Sequence, residues 1–211
     1  MGKTTLQQTA YELLKKRITS CEFPPGMFLN TVELQDVFGF SRTPIREALA
    51  KLEQDNLVDF YPQKGFVVSS VGLSTISAIY ETRSLIEPHI VANYGHLVPK
   101  EELERMGGLF KSALAQETPS MALHIGHDDE FHALLRAACP NIYLVQVLEN
   151  ISSQAQRVRI LSGYAGGKLK RLCLEHMDII DAMLSQNFSL AGKKMAVHLA
   201  KARKNAFKAI S

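Results

Sequence analysis

The sequence predicts a mainly α-helical chain of two parts, in which three helices closed by a β-hairpin are followed by an all-α bundle of six helices. Apolar residues recur at helical spacing along most of the 211 residues, and strand-like runs vanish from about Leu73 onwards. Short breaks that contain glycine, proline or asparagine separate the helical segments. The change of class near residues 70–73 predicts two domains, spanning 1–70 and 71–211.

The first two helices are marked by their apolar spacing and by the breaks around them. Residues 7–20 have an amphipathic pattern, and the proline pair within 23–26 ends it. A short helix is predicted at about 31–38, with Thr31 or Asn30 as its N-cap. The residues at helical spacing in the first helix are Ala10, Leu13, Leu14 and Ile18.

The third helix is predicted to run from Ser41 to about Asp55. Pro44 falls in its first turn, where the missing N–H of proline is harmless. Arg42 and Arg46, four residues apart, share an exposed face of this helix. The opposite face carries the apolar stripe Ile45, Ala48, Leu49 and Leu52.

Two strand-like runs follow the third helix. They cover residues 57–60 and 65–70, and the intervening YPQK predicts a β-hairpin between them. Three helices closed by a hairpin make a winged helix-turn-helix.

The remainder of the chain is expected to be all-α. Its six helices are predicted at roughly 74–96, 99–117, 119–138, 141–162, 168–186 and 189–209. The breaks between them are Pro99 and residues 118–119, 139–140, 163–167 and 187–189.

Composition and charge exclude several classes of protein. The 24 basic and 21 acidic residues give a net charge of +3, so total charge by itself does not indicate a nucleic-acid partner. Three widely spaced cysteines without a CxxC pair argue against a disulfide framework and against a cysteine-rich zinc site. Because no apolar run approaches the ~20 residues that span a bilayer, and the amino terminus lacks the apolar core of a secretory signal, we expect a cytoplasmic protein.

The third helix has the features of an element that reads DNA. Its first residues include arginine and threonine, and a shorter helix braces it across a tight turn, as in proteins that enter the major groove. Arginine can pair bidentately with guanine, and threonine can contact phosphate or a thymine methyl group. Spacing alone leaves a second interpretation open, in which Arg42 and Arg46 are simply solvated charges.

The sequence of the third helix and the following hairpin closely resembles the winged-helix signature of the GntR family of bacterial transcription regulators. The resemblance lies in GFSRTPIREALAKLEQDNLV and in PQKGFVV. Val32 stands where several members carry a further DNA-contacting arginine, and Asn56 stands where glycine is common. The resemblance implies that the DNA contacts, with the last two residues at the tip of the wing, are Ser41, Arg42, Thr43, Arg46, Lys64 and Gly65.

Four potential metal ligands are predicted on the inner faces of three bundle helices. Asp128 and His132 are four residues apart on one helix, so both side chains can point at one spot. His176 and His198 lie in phase with apolar residues of two later helices. One carboxylate and three neutral imidazoles suit Zn²⁺, Ni²⁺ or another late divalent ion. The alternative is that each histidine is partly buried and hydrogen-bonded to a neighbour.

The bundle also resembles the C-terminal effector domain, known as FCD, of the FadR branch of GntR regulators. DDEFHALLRAACPN is similar to that domain's D-x-x-x-H helix, and His176 and His198 match its later histidines. Six helices place the domain nearest to the VanR-like group. The resemblance implies a metal ion, zinc or nickel, that takes the carboxylate of a small organic acid.

Three further residues are candidates for contacts to that acid. Arg83 lies on the inward stripe of the first bundle helix, where a bound carboxylate could pair with its guanidinium. A salt bridge to Glu87, four residues on, is an equal alternative. Gln154 and Arg157 flank the apolar stripe of the fourth bundle helix and are weaker candidates.

The sequence therefore predicts a ligand-responsive transcription repressor that binds a palindromic DNA operator as a homodimer, because one short recognition helix gives little specificity alone. A small carboxylic acid is expected to change operator affinity by binding at the metal site. A metal sensor, in which the ion itself is the effector, stays open. A metallo-hydrolase is disfavoured because no general-base position, nucleophile motif or phosphate-binding glycine loop is evident, so we do not expect an enzyme.

Overall fold

A computed structural model describes residues 5–117, 120–163 and 167–210 of the chain. The predicted break at 118–119, and residues 164–166 of the break predicted at 163–167, lie outside the described residues. The chain divides into two compact units, of which the first ends at Gly72 and the second begins at Leu73. Each unit is described by itself.

The first unit contains the three predicted helices and a small sheet. Asn30 is the N-cap of the second helix, because its side chain accepts a hydrogen bond from the N–H of Val32 at 2.9 Å. The helices are α1 (Leu6–Thr19), α2 (Thr31–Phe38) and α3 (Arg42–Gln54), and the strands are β1 (Phe28–Leu29), β2 (Val58–Tyr61) and β3 (Gly65–Val68).

The sheet has one more strand than the predicted hairpin. Strands β2 and β3 pair antiparallel as expected, and β1 joins the other edge of β3 with Leu29 opposite Phe66. A strand of two residues is too short to show an alternating pattern. Its position is fixed instead by backbone hydrogen bonds, such as that from the N–H of Gly26 to the carbonyl of Val68 at 2.8 Å.

The core of the first unit is formed by the predicted stripe of α3, whose four apolar residues are all fully buried. On α1, three of the four apolar residues at helical spacing are buried, whereas Leu13 is 38% exposed and Tyr11 is buried in the first unit's core. Tyr11 is held there because its hydroxyl donates to Asp55 and the ammonium of Lys51 lies 4.2 Å from its ring centroid.

Asn56 adopts the positive φ of the turn that follows α3. Its φ of 58° places it in the left-handed region, which asparagine tolerates better than most residues. The N–H of Leu57 then returns to the carbonyl of Leu52 at 2.9 Å and closes the end of α3. The chain can therefore pass directly from α3 into the sheet.

The second unit is all-α, as predicted, and the described residues contain six α-helices in it. They are α4 (Leu73–Tyr94), α5 (Lys100–Ala115), α6 (Met121–Ala137), α7 (Ile142–Leu161), α8 (Gly167–Leu184) and α9 (Phe188–Ile210). Within the described ranges, none of these or the preceding helices is both long and apolar enough to cross a membrane.

The two longest helices, α4 and α9, approach each other closely at Gly192. A Cβ added there would lie 2.9 Å from the carbonyl oxygen of Pro88 and 3.0 Å from Cβ of Ala92. Only glycine fits without displacing the backbone of α4. This contact brings α9, which carries His198, against α4, which carries Arg83 and Glu87.

Candidate functional site

The exposed face of α3 carries the residues expected to contact DNA. Because the opposite face is buried, Arg42, Thr43 and Arg46 are turned towards solvent in the first two turns of the helix. Ser41 is the N-cap in an extended conformation, but its hydroxyl makes no capping hydrogen bond to the helix. The surface thus presents two guanidinium groups and two hydroxyls at the amino-terminal end of one helix, which suits phosphate and base-edge contacts.

The turn between β2 and β3 forms the wing. Lys64 is exposed, and its N–H closes the turn on the carbonyl of Tyr61 at 3.0 Å. Gly65 adopts φ +87°, and a Cβ there would approach the ring of Phe28 to 3.3 Å. The positive φ and the close approach to Phe28 both favour glycine at this position. Because glycine has no side chain, the backbone of the wing is accessible beside the cation of Lys64.

The second unit brings all four predicted metal ligands together. Asp128 and His132 lie one turn apart on α6, His176 lies on α8 and His198 on α9, and all four are buried. One ligand atom from each residue lies within 4.8 Å of the others. Four residues from three helices, separated by as many as 70 positions in the sequence, therefore converge on one point of the bundle core.

The electrostatics of the cluster favour the protonation states that bind a divalent ion. Burial alone would raise the pKa of Asp128, but the guanidinium of Arg159, 3.1 Å away, and the neighbouring imidazoles hold that pKa well below its usual range. Burial lowers the pKa of His176 to about 4, and it also lowers the pKa of His198. The carboxylate is therefore ionised and these two imidazoles are neutral near pH 7.

The donor set fits a late divalent ion. Nε2 of His132 and Nδ1 of His176 are buried and have no hydrogen-bond partner among the described residues. Leaving such groups unsatisfied costs about 1–3 kcal/mol each, and a bound ion can satisfy a ring nitrogen that no protein group reaches. The ring of Phe110 stacks on His176 at 4.6 Å between centroids, which fixes the orientation of that imidazole.

Two glutamates contact ring nitrogens of the candidate ligands His132 and His198. Oε2 of Glu87 lies 2.7 Å from Nδ1 of His132, and Oε2 of Glu175 lies 3.1 Å from Nδ1 of His198. Carboxylates in this position fix the tautomer of a ligating imidazole and leave its other nitrogen facing the ion. The sequence analysis did not assign either role, although Glu175 directly precedes His176.

A cavity of about 280 Å³ lies against this cluster. His132 is the one ligand that it shares with the cluster, and the charged groups around it are Arg83, Glu87, Asp129, Arg136 and Arg159. Three side chains of α7 add polar groups to its wall: Ser152, Ser153 and Gln156. The cavity therefore combines small volume with a strongly charged lining.

Of the three predicted acid-binding residues, one lines the cavity and two do not. Arg83 lines the cavity, and of its two alternatives the ion pair is formed, since its Nε lies 2.6 Å from Oε1 of Glu87. Gln154 and Arg157 are buried and joined to each other by a hydrogen bond of 2.8 Å. Neither is among the described residues that line the cavity.

Arg136 and Arg159 line the cavity but were not predicted. Arg136 had a usable signal, because Asp128, His132 and Arg136 stand at i, i+4 and i+8 on one face of α6. Arg157 and Arg159 lie on opposite faces of α7 and both are buried, and the sequence does not show which of these faces meets α6. Only the packing of α7 on α6 turns Arg159 towards Asp128 and Asp129, with both of which it forms ion pairs.

Two family profiles match the chain. The FCD domain matches residues 78–201, and the family described as bacterial regulatory proteins, gntR family, matches residues 6–68. The HTH-type transcriptional repressor RspR of Escherichia coli (strain K12) is 25% identical over 195 residues, covering 92% of this chain and 86% of the relative. The HTH-type transcriptional regulator YdhC of Bacillus subtilis (strain 168) is 30% identical over 196 residues, covering 89% and 85%.

Solved structures share the fold. E. coli McbR/YncC superposes with a TM-score of 0.82 at 20% identity, covering 97% of this chain and 98% of that one. The Zn²⁺-bound FCD domain of TM0439 has a TM-score of 0.56 at 22% identity, covering 66% and 96%. Sequence identity at this level supports the architecture only.

Proposed function

The chain belongs to the gntR family of bacterial regulatory proteins and carries an FCD domain, and from this premise we propose that it is a repressor whose operator affinity changes when a small carboxylic acid binds beside a metal ion. The coarser part of this statement follows from the family: the protein is a DNA-binding transcription regulator. Its relatives are regulators and not enzymes, so the metallo-hydrolase alternative is excluded.

We assign DNA reading to residues 1–70. Ser41, Arg42, Thr43 and Arg46 would contact bases and phosphates from α3, while Lys64 and Gly65 would contact the backbone from the wing. The exposure of the four residues of α3 and its N-cap, and of Lys64 in the turn, supports this assignment. A homodimer on a palindromic operator supplies two such helices, and so enough base contacts for a specific site.

We assign metal and effector binding to residues 71–211. Asp128, His132, His176 and His198 would hold zinc or nickel, which suit a set of three imidazoles and one carboxylate. The Zn²⁺ in the FCD domain of TM0439 supports the same choice. When bound, the ion supplies positive charge and open coordination positions for a ligand carboxylate.

The cavity that shares His132 with the cluster is the observation that carries the effector part of the proposal. Its volume of about 280 Å³ suits a small organic acid, and arginines line it. The acid must bind the DNA-incompetent arrangement of the protein more tightly than the competent one, because only a difference in affinity shifts that equilibrium.

A metal sensor is the second candidate. It is favoured by the fact that the four ligand atoms lie within 4.8 Å of one another, so that protein side chains alone can supply four ligands to the ion. In that case the ion alone would change DNA binding.

The test begins with selection of bound sequences from random duplex DNA by the full chain loaded with Zn²⁺. We expect a palindromic consensus, and glutarate, used as the probe acid, should change affinity for it only when Zn²⁺ is present. If no consensus emerges from the selection, the DNA-reading assignment fails. If chelation alone changes affinity and the acid does not, the metal-sensor function replaces the carboxylate-responsive one.

A further inference from the structure

Three arginines line the cavity beside the metal cluster, and two of them are already neutralised by protein carboxylates. Arg83 pairs with Glu87 through two contacts, of 2.6 and 3.4 Å. Arg159 pairs with both Asp128 and Asp129. All of these side chains except that of Asp129, which is partly exposed, are nearly fully buried, so the pairs form a fixed part of the wall.

Arg136 differs from the other two. It is partly buried and lines the same cavity, yet no carboxylate of the described residues lies within ion-pair distance of its guanidinium. Burial lowers the pKa of Arg136, and Glu87 and Glu149 offset this only from longer range. A cation that is partly removed from water without a partner is unfavourable, and a bound anion would relieve it.

The position of Arg136 relative to the cluster sets the size of such an anion. Arg136 follows His132 by four residues on α6. Their Cα atoms are therefore about 6 Å apart along the helix axis, and their side chains share one face. A ligand with anionic groups at both ends of a short chain can therefore contact the cluster at His132 with one group and Arg136 with the other.

The net charge around the cavity and the cluster also favours a ligand with two negative charges. Around the cavity and cluster, Arg83, Arg136 and Arg159 balance the carboxylates of Glu87, Asp128 and Asp129. A divalent ion on neutral imidazoles would leave two positive charges in excess. A monocarboxylate neutralises one of them, whereas a dicarboxylate neutralises both.

We propose that Arg136 is a specificity-determining residue that binds the second carboxylate of the effector, and that the effector is a short-chain dicarboxylate. This rests on the proposed function, because it takes the metal cluster as the anchor of the first carboxylate. It adds that the protein binds a monocarboxylate of equal length more weakly than the dicarboxylate.

Calorimetric titration of the full chain loaded with Zn²⁺ tests the inference. The probes are glutarate and pentanoate, which have the same number of carbons and differ by one carboxylate. Arg136→Gln removes the proposed contact, and Arg105→Gln removes an exposed arginine that pairs with Glu102 and Glu130 on the surface. We expect the wild type and Arg105→Gln to bind glutarate about tenfold or more tightly than pentanoate, as for a hydrogen bond to a charged group.

Arg136→Gln should lose this preference for glutarate while it binds pentanoate as the wild type does. Unchanged pentanoate binding also shows that the variant is folded. If the wild type binds both acids equally, or if Arg136→Gln keeps its preference for glutarate, the inference is overturned while the proposed function stands. If neither acid binds the loaded wild type, the carboxylate part of the proposed function fails, and the inference fails with it.

Discussion

Replacing Glu175 by glutamine tests whether the metal cluster depends on its supporting carboxylates. Glu175 accepts contacts from Nδ1 of His198 at 3.1 Å and from Nζ of Lys201 at 2.9 Å. Burial alone would raise the pKa of Glu175, but the hydrogen bonds from His198 and Lys201 lower it, so the carboxylate is charged. Glutamine keeps the shape of the side chain and removes the charge.

The expected loss of metal affinity in Glu175→Gln follows from the difference between a hydrogen bond to a charged group and one to a neutral group. A hydrogen bond to a charged group contributes about 1.5–3 kcal/mol, and a neutral one about 0.5–1.5 kcal/mol. The difference of about 1–1.5 kcal/mol corresponds to metal binding that is roughly tenfold weaker. Loss of such outer carboxylates typically reduces metal affinity by about 10–100-fold.

Competition with a chromogenic chelator for Zn²⁺ measures this affinity directly. Asp178→Asn is the matched control, because Asp178 is an exposed acid on the same helix that pairs only with Lys194, at 3.4 Å, among the described residues. We expect Asp178→Asn to bind Zn²⁺ as the wild type does. Wild-type affinity in Glu175→Gln would refute the positioning role of Glu175.

Three further predictions concern DNA, metal and packing. Arg46→Ala should lose about 1–3 kcal/mol of affinity for the selected operator and relax preference at one base, and an unchanged binding profile would remove Arg46 from the reading set. His176→Ala should lose most of the stabilisation that Zn²⁺ gives the wild type, about 4 kcal/mol at 1,000 times the dissociation constant. A thermal melt with and without Zn²⁺ checks this, and equal shifts in both proteins would show that His176 is not a ligand. Gly192→Ala should destabilise the second unit by about 1–3 kcal/mol because its Cβ would meet the carbonyl of Pro88. Gly108→Ala, in open space on α5, should stabilise it by up to about 1 kcal/mol. Urea unfolding of both variants distinguishes them, and equal stability would contradict the packing argument.

Local patterns in the sequence predicted much of the fold. The stripe from Ile45 to Leu52 and the breaks at glycine and proline are properties of short segments, and short segments decide where helices begin and end. Strand β1 was missed because two residues carry no period. Helical spacing grouped Leu13 with the apolar residues of α1 and omitted Tyr11, because spacing cannot show that Tyr11 contacts Asp55 and Lys51.

The candidate site was predictable to a different extent. Asp128 and His132 share one helix face, and His176 and His198 are in phase with apolar residues on α8 and α9, so the four could be named as candidate ligands. The resemblance to the FCD domain, and not the spacing, favoured the ligand role over simple buried histidines. The cavity could not be located, because its wall depends on how α7 packs against α6. For that reason Gln154 and Arg157 were chosen on α7, although the residue that faces the cluster is Arg159.

The metal content of the full chain tests the central claim most directly. The protein would be purified without an affinity tag or chelator, incubated with Zn²⁺ or Ni²⁺, desalted, and measured by elemental mass spectrometry. One ion per chain is expected for the single cluster found among the described residues, with loss of the ion in His176→Ala. Wild-type protein that retains neither metal would contradict the account.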